Sequence, residues 1–167
     1  MRVPGAHTLS ETEHAVAERL GGMPVDFDAM AACSNLFRAA NAVRNHLERS
    51  VLAAHDLSWT AFVVLWVVWI WEPIETRDIA SEAGFSKATL SGVLDTLEGR
   101  GLVARARSAT DGRLIEVSLT PRGRRLMTKL FPAFNATETD LVGQMGKRRL
   151  AEMTEGLRAM VRATESD

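Results

Sequence analysis

The chain of 167 residues has no tyrosine, one cysteine and four histidines, and these scarcities exclude several classes of protein. A single cysteine, Cys33, rules out a disulfide framework and a multi-thiolate metal cluster within one chain. The histidines, His7, His14, His46 and His55, are dispersed and show no pair at ligand spacing, so no metal site is expected. There is no Gly-rich phosphate loop, no Gly-x-Ser-x-Gly elbow and no His–carboxylate metal motif, so neither catalytic residues nor a cofactor are nominated. The longest apolar run, Ala61 to Trp71, is eleven residues, too short to cross a bilayer. The first twenty residues carry Arg2 but no apolar stretch of the signal-peptide kind. A cytoplasmic protein with no membrane partner is the expectation. Internal repeats and low-complexity tracts are also missing.

What is present is a core. At 46% hydrophobic and 25% charged residues, the composition suits one packed domain with an appendage. Taken whole, the formal net charge of −1 speaks against a nucleic-acid partner, but net charge is a sum and binding surfaces are local. Residues 1–85 hold six Lys/Arg and eleven Asp/Glu, for −5. Residues 86–129 hold nine and four, for +5, and residues 130–167 hold five and six, for −1. Near-neutrality is therefore an average over an acidic half and a basic centre. Charge alone leaves that centre equally readable as a solvated surface.

Periodicity decides the organisation. Residues 1–24, with Pro4, Gly5, Gly21, Gly22 and Pro24, read as a flexible or loosely docked N-terminal arm with a short helix around Glu11–Arg19. Leu36, Ala40, Val43, Leu47 and Val51 recur every three or four residues, which predicts one long helix from Phe27 to Ala54. Ser58 caps a second helix, Trp59 to Trp71, apolar nearly all round and hence buried. A short helix over Glu75–Ala83 stops at Gly84. Ser86 then caps a helix whose Leu90, Val93, Leu94 and Leu97 form one apolar stripe. Alternating segments Leu102–Arg107 and Arg113–Leu119 flank an Asp-Gly turn, a hairpin signal. Thr120-Pro121 opens a further helix with Leu126, Leu130, Phe134, Leu141 and Met145 inward and a kink expected at Pro132. Leu150, Met153, Leu157 and Met160 mark the last helix.

This order is that of a winged helix-turn-helix, whose second helix enters the DNA major groove while its hairpin reaches the backbone or minor groove. With the apolar stripe inward, the helix from Ser86 presents Lys87, Ala88, Thr89, Ser91, Gly92 and Asp95. Small side chains let the axis approach the groove floor, and Lys87, Thr89 and Ser91 can donate to base edges or phosphates. The first turn, at Ser86, offers free N–H groups to a phosphate. Asp95 would repel DNA, and its place along the helix is expected to turn it out of the groove. An arginine seen alone is ordinarily solvated surface. Grouped on a wing, Arg105, Arg107 and Arg113 point to nucleic acid, with arginine at the tip suited to a narrow minor groove. Asp111 is placed to brace that tip, by pairing with an arginine or capping a turn N–H.

These residues resemble the MarR-type transcription regulators. Ile79-Ala80, Ser86 to Ser91, Leu97 to Val103 and Asp111-Gly112-Arg113 are similar to that family's third helix, recognition helix and wing, and Val117 to Gly123 to its strand-to-helix junction. The likeness is strongest over 58–127. It implies a mainly α fold, a winged helix-turn-helix with long flanking dimerisation helices and a two-stranded wing. The corresponding division is an arm over 1–24, a first dimerisation helix over 25–57, a DNA-binding lobe over 58–120 and C-terminal dimerisation helices over 121–167. It further implies a homodimer on a pseudo-palindromic double-stranded operator, acting as a repressor, with Arg113 in the minor groove. The chain departs from the family at Gly92, where arginine is frequent, and at Glu75, where a threonine or serine cap is common.

The resemblance also implies a crevice for a small effector, in the region that holds His46, Arg49, His55, Trp59, Trp66, Trp69 and Trp71. Aromatic residues at helical spacing usually pack, so the first reading is core; the sharper one is a pocket for an aromatic effector with a histidine or Arg49 at its polar end. Cys33 is placed like the sensor thiol of organic-hydroperoxide regulators. Tyrosines help to hold the thiolate in those relatives and are absent here, so a small buried thiol is the expectation over a redox site. The rival to DNA binding is a winged-helix protein-interaction module.

Overall fold

The computed structural model of the chain describes residues 7–165. It divides into two compact units, one up to Arg44 and one from Asn45 onward.

In the first unit the short helix expected around Glu11–Arg19 is present as α1 (Leu9–Leu20), none of whose residues is buried. Its start is a reciprocal capping box: Glu11 N–H donates to Thr8 Oγ1 at 3.2 Å, and Thr8 N–H donates to the Glu11 carboxylate at 2.6 Å. Those hydrogen bonds hold the Glu11 carboxyl below its ordinary range. Asn35, on α2 (Phe27–Ser50), donates to the Glu13 carboxylate at 2.9 Å and ties the two helices together. Pro4 and Gly5 of the expected arm lie outside the described residues. The helix expected to reach Ala54 ends at Ser50, whose hydroxyl donates back to the His46 carbonyl. A 3₁₀ turn over Leu52–His55 follows, with Leu52 fully buried and Asp56 left-handed at φ 52°.

The second unit is built around α3 (Trp59–Trp71), capped by Ser58, whose oxygen accepts from Ala61 N–H. Six of its thirteen residues are buried: Ala61, Phe62, Val64, Leu65, Val67 and Val68. A helix this apolar cannot face water and must be covered on several sides. The cover is α4 (Thr76–Ala83), α5 (Lys87–Gly99), β3 (Ile115–Leu119) and α6 (Pro121–Val142), all of which pack against it. The expected two-stranded wing is present, and a third strand extends its sheet. A short β1 (Ile74–Glu75) pairs antiparallel with β3, which pairs with β2 (Val103–Arg107) in the order β1-β3-β2. Two residues after a proline carry no periodicity, so no sequence pattern marks β1. Helix α4, expected from Glu75, accordingly begins at Thr76; Glu75 is its N-cap residue but its side chain makes no cap hydrogen bond.

Two junctions hold the lobe together. Glu72, at the end of α3, accepts from Leu119 N–H at 2.6 Å and pairs with Arg124 on α6, so one carboxylate links three elements. At the other, Thr120 N–H donates to the Leu102 carbonyl and Thr120 Oγ1 to the Gly101 carbonyl, while that hydroxyl caps α6 at Gly123 N–H. A Cβ at Gly123 would overlap the Leu102 carbonyl oxygen, so only glycine lets α6 start this close to β2. Helix α6 runs continuously through Pro132, with Met127, Leu130 and Phe134 buried. Leu141, expected inward, is exposed in the single chain, and no residue of α7 (Gly146–Thr164) is buried.

These contacts give two stability predictions. The Gly123→Ala variant forces a methyl group against backbone, and overpacking of this kind costs about 2 kcal/mol, a fall in Tm of roughly 4–8 °C. Gly92→Ala, mid-helix with nothing within 4 Å of an added Cβ, should instead gain about 1 kcal/mol, and one set of thermal melts separates the two. Glu72→Ala leaves the Leu119 N–H unpaired beside the core and should cost about 2 kcal/mol in denaturant unfolding. Arg124→Ala, which removes only a half-exposed ion-pair partner, should cost under about 1 kcal/mol.

Candidate nucleic-acid interface

The helix-turn-helix is α4, a tight turn and α5. The turn is made by Gly84 at φ 66°, a left-handed conformation that glycine adopts without steric cost; Gly84 and Phe85 N–H groups donate back to the last carbonyls of α4. Ser86 then starts α5, its Oγ accepting from Thr89 N–H at 3.1 Å and lying 2.9 Å from the Thr89 hydroxyl. Leu90, Leu94 and Leu97 are buried and Val93 packs on the core, as the stripe predicts. Burial of that face fixes the other. Lys87, Ala88, Thr89, Ser91, Gly92 and Asp95 are all exposed, on the surface that the sequence nominated.

The wing is the β2–β3 hairpin. Arg107 pairs in register with Ile115, and the tip between them is closed by Ser108 N–H to the Leu114 carbonyl and Leu114 N–H to the Asp111 carbonyl, both at 2.9 Å. Asp111 Oδ1 accepts from Arg113 N–H at 3.0 Å, which is the turn-capping form of the expected brace. Arg107 and Arg113 are exposed, and neither has an ion-pair partner among the described residues.

Arg105 is different. Its guanidinium lies on α5, with Nη2 2.6 Å from Asp95 Oδ1, and with Nε 2.9 Å and Nη2 2.6 Å from Glu98 Oε2. Its own N–H donates to Glu98 Oε1 at 3.2 Å. Side-chain hydrogen bonds from Arg105, then the bond from its backbone, hold the Glu98 carboxyl below the ordinary glutamate range. The same two carboxylates raise the pKa of Arg105, Glu98 by more than Asp95. Asp95 thus has an arginine partner within the lobe.

Sequence reasoning missed two further arginine roles. Arg100, in the turn after α5, donates from Nη1 to the Asp56 carbonyl at 2.6 Å and from Nη2 to the His55 carbonyl at 2.8 Å, fixing the start of the wing to the 3₁₀ turn before α3. Arg124 is held by Glu72. Three arginines of the basic block are therefore engaged within the lobe. Lys87, Arg107 and Arg113 remain on α5 and the wing without such partners among the described residues. The only sequence signal for the Arg105 site was a pair of acids three apart on one helix, close in sequence to a strand arginine.

The nominated effector residues have different surroundings in the single chain. Trp59 lies 6.1 Å from Phe62 and 6.3 Å from Phe134, and Trp66 stacks on Phe131 at 4.6 Å with Trp69 edge-on to both. These indoles are packed among aromatic neighbours, while Trp71 is largely exposed. His46 and Arg49 are exposed, and His55 contributes its carbonyl to Arg100. Cys33, expected to be buried, is exposed in the single chain, because it lies on a side of α2 that nothing in its unit covers.

A sequence model of the MarR family matches residues 57–115, from the residue before the Ser58 cap to the first residue of β3. The chain is 38% identical over 142 residues to an uncharacterized HTH-type transcriptional regulator, YwaE, of Bacillus subtilis (strain 168), covering 83% of each chain. Among solved structures it is similar to the transcriptional repressor CouR bound to a 23-mer DNA duplex, with a TM-score of 0.69 and 27% identity over 76% of this chain and 89% of that one. The fold is also that of Bordetella bronchiseptica BpsR, with a TM-score of 0.70 and 24% identity over 77% and 91% of the two chains. With the helix-turn-helix, the wing and this extent of identity together, the chain belongs to the MarR family of HTH-type transcriptional regulators.

Proposed function

We propose that this regulator binds pseudo-palindromic double-stranded DNA as a homodimer and acts as a repressor. The observation that carries the reading is the juxtaposition of an exposed small and polar helix face, Lys87, Ala88, Thr89, Ser91 and Gly92, with wing arginines Arg107 and Arg113 that no carboxylate neutralises among the described residues. In this reading α5 lies in the major groove. Lys87, Thr89 and Ser91 meet base edges or phosphates, Ala88 and Gly92 allow close approach, and the first turn at Ser86 receives a phosphate. Arg113, aimed by Asp111, enters the minor groove. Arg107 meets the backbone. Arg105 is not among the proposed contacts, since its guanidinium is already occupied.

The homodimer is supported by apolar faces without cover. On α7, Met153, Leu157, Met160 and Val161 follow at intervals of four, three and one, and all are exposed although large and apolar. A stripe of this size on a helix with no buried residue fits a partner helix better than water. Release by a small aromatic effector remains part of the proposal. BpsR, a neighbour in fold whose DNA binding is regulated by 6-hydroxynicotinic acid, makes that compound a reasonable first addition to a binding assay.

The test begins with selection of duplexes from random-sequence DNA by the purified wild-type protein. On the recovered duplex Arg113→Ala should weaken binding roughly ten-fold and make the salt dependence shallower by about one ion. A variant that folds and dimerises yet binds with unchanged affinity and salt slope would contradict the wing assignment. If the wild-type protein shows no salt-dependent DNA affinity at all, the protein-interaction reading, which the acidic first half favours, takes its place.

A further inference from the structure

Arg105 sits on β2, the edge strand of the sheet, opposite Val117 of β3. An edge strand leaves alternate N–H groups without a sheet partner. Here the backbone N–H of Arg105 is satisfied by Glu98 Oε1, and the guanidinium of the same residue reaches Glu98 Oε2 and Asp95 Oδ1. The two acids are three residues apart on α5, so they share one face of it. Four hydrogen bonds thus run from one wing residue to one side of the recognition helix. Together they fix the distance and rotation between the two parts that must meet DNA simultaneously. The same contact lowers an electrostatic obstacle: the guanidinium offsets one of the two negative charges that Asp95 and Glu98 would otherwise present beside a polyanion.

Resting on the DNA-binding reading above, we infer that Arg105 is a positioning residue for operator recognition: it acts through Asp95 and Glu98, locking the wing to the recognition helix and halving the negative charge of that helix's acidic side, and makes no contact with DNA itself. A fork is required for this. Arginine presents Nε and Nη2 to one carboxylate and Nη2 to another at once, which the single ammonium of lysine does with poorer geometry. The side chain is about one-quarter exposed, and its partners more so, at 62% for Asp95 and 40% for Glu98. Ion pairs at that exposure add little to global stability, so the consequence of losing this one falls on binding.

The experiment is a double-mutant cycle on the duplex selected by the wild-type protein, with affinities measured well below the melting temperature of every variant. Arg105→Ala should weaken binding roughly ten-fold in the wild-type background and by less than about two-fold in the Asp95→Asn, Glu98→Gln background. Arg105→Lys should recover only part of the loss. The melting temperature of Arg105→Ala should stay within about 4 °C of wild type. Equal losses in both backgrounds would mean that Arg105 touches DNA directly, and would overturn the inference. So would a lowered melting temperature with unchanged affinity of the folded protein, the signature of a purely structural bridge. If the wild-type protein selects no duplex, the DNA-binding reading itself has failed and this role falls with it. A wild-type protein that binds but shows no coupling isolates the failure to Arg105.

Discussion

Burial of α3 is the constraint on which the rest of the lobe depends. A helix reading Trp-Thr-Ala-Phe-Val-Val-Leu-Trp-Val-Val-Trp-Ile-Trp has no polar face to offer water, and its apolar surface can only be stabilised by covering it. Helices α4, α5 and α6 and strand β3 do so from different sides. Because Leu90, Leu94 and Leu97 of α5 are drawn into that cover, the opposite face of α5 has to point outward. The recognition surface is thus a consequence of the core. Its small residues are free to be small because they take no part in packing.

Much of this was legible from residue order. The serine caps at Ser58 and Ser86, the threonine cap with proline behind it at Thr120 and the leucine stripe of α5 each act through local hydrogen bonding or burial, and each appears where the pattern places it. What escaped depends on groups distant in sequence. Strand β1 exists because β3 offers an edge to two residues that show no pattern of their own. Arg100 reaches carbonyls forty-four and forty-five residues away, and Glu72 joins a strand and a helix about fifty residues downstream. In the N-terminal segment the Thr8–Glu11 capping box starts the expected short helix, while the tie from Glu13 to Asn35, twenty-two residues on, carries no local signal.

Charge shows the same separation of scales. A formal net charge of −1 concealed a central block of +5, and within that block the structure divides the arginines again. Arg100, Arg105 and Arg124 are engaged by carbonyls or carboxylates of the lobe, whereas Lys87, Arg107 and Arg113 stand on the helix and wing. The sequence treated Arg105 and Arg107, two residues apart on one strand, as equivalent. The pairing with α5 makes them different: one faces Asp95 and Glu98, and the other is exposed at the last rung before the hairpin tip.

The central claim is that this family member reads DNA as a symmetric pair of helix-and-wing modules, and a hydroxyl-radical footprint on a duplex selected by the wild-type protein tests it most directly. The account predicts two related half-sites whose centres lie about one helical turn, roughly 10 bp, or a small multiple of that apart, with protection extending into the flanking minor grooves where the wings lie. A single unpaired half-site, or no protection at salt concentrations where the protein is folded, would contradict it.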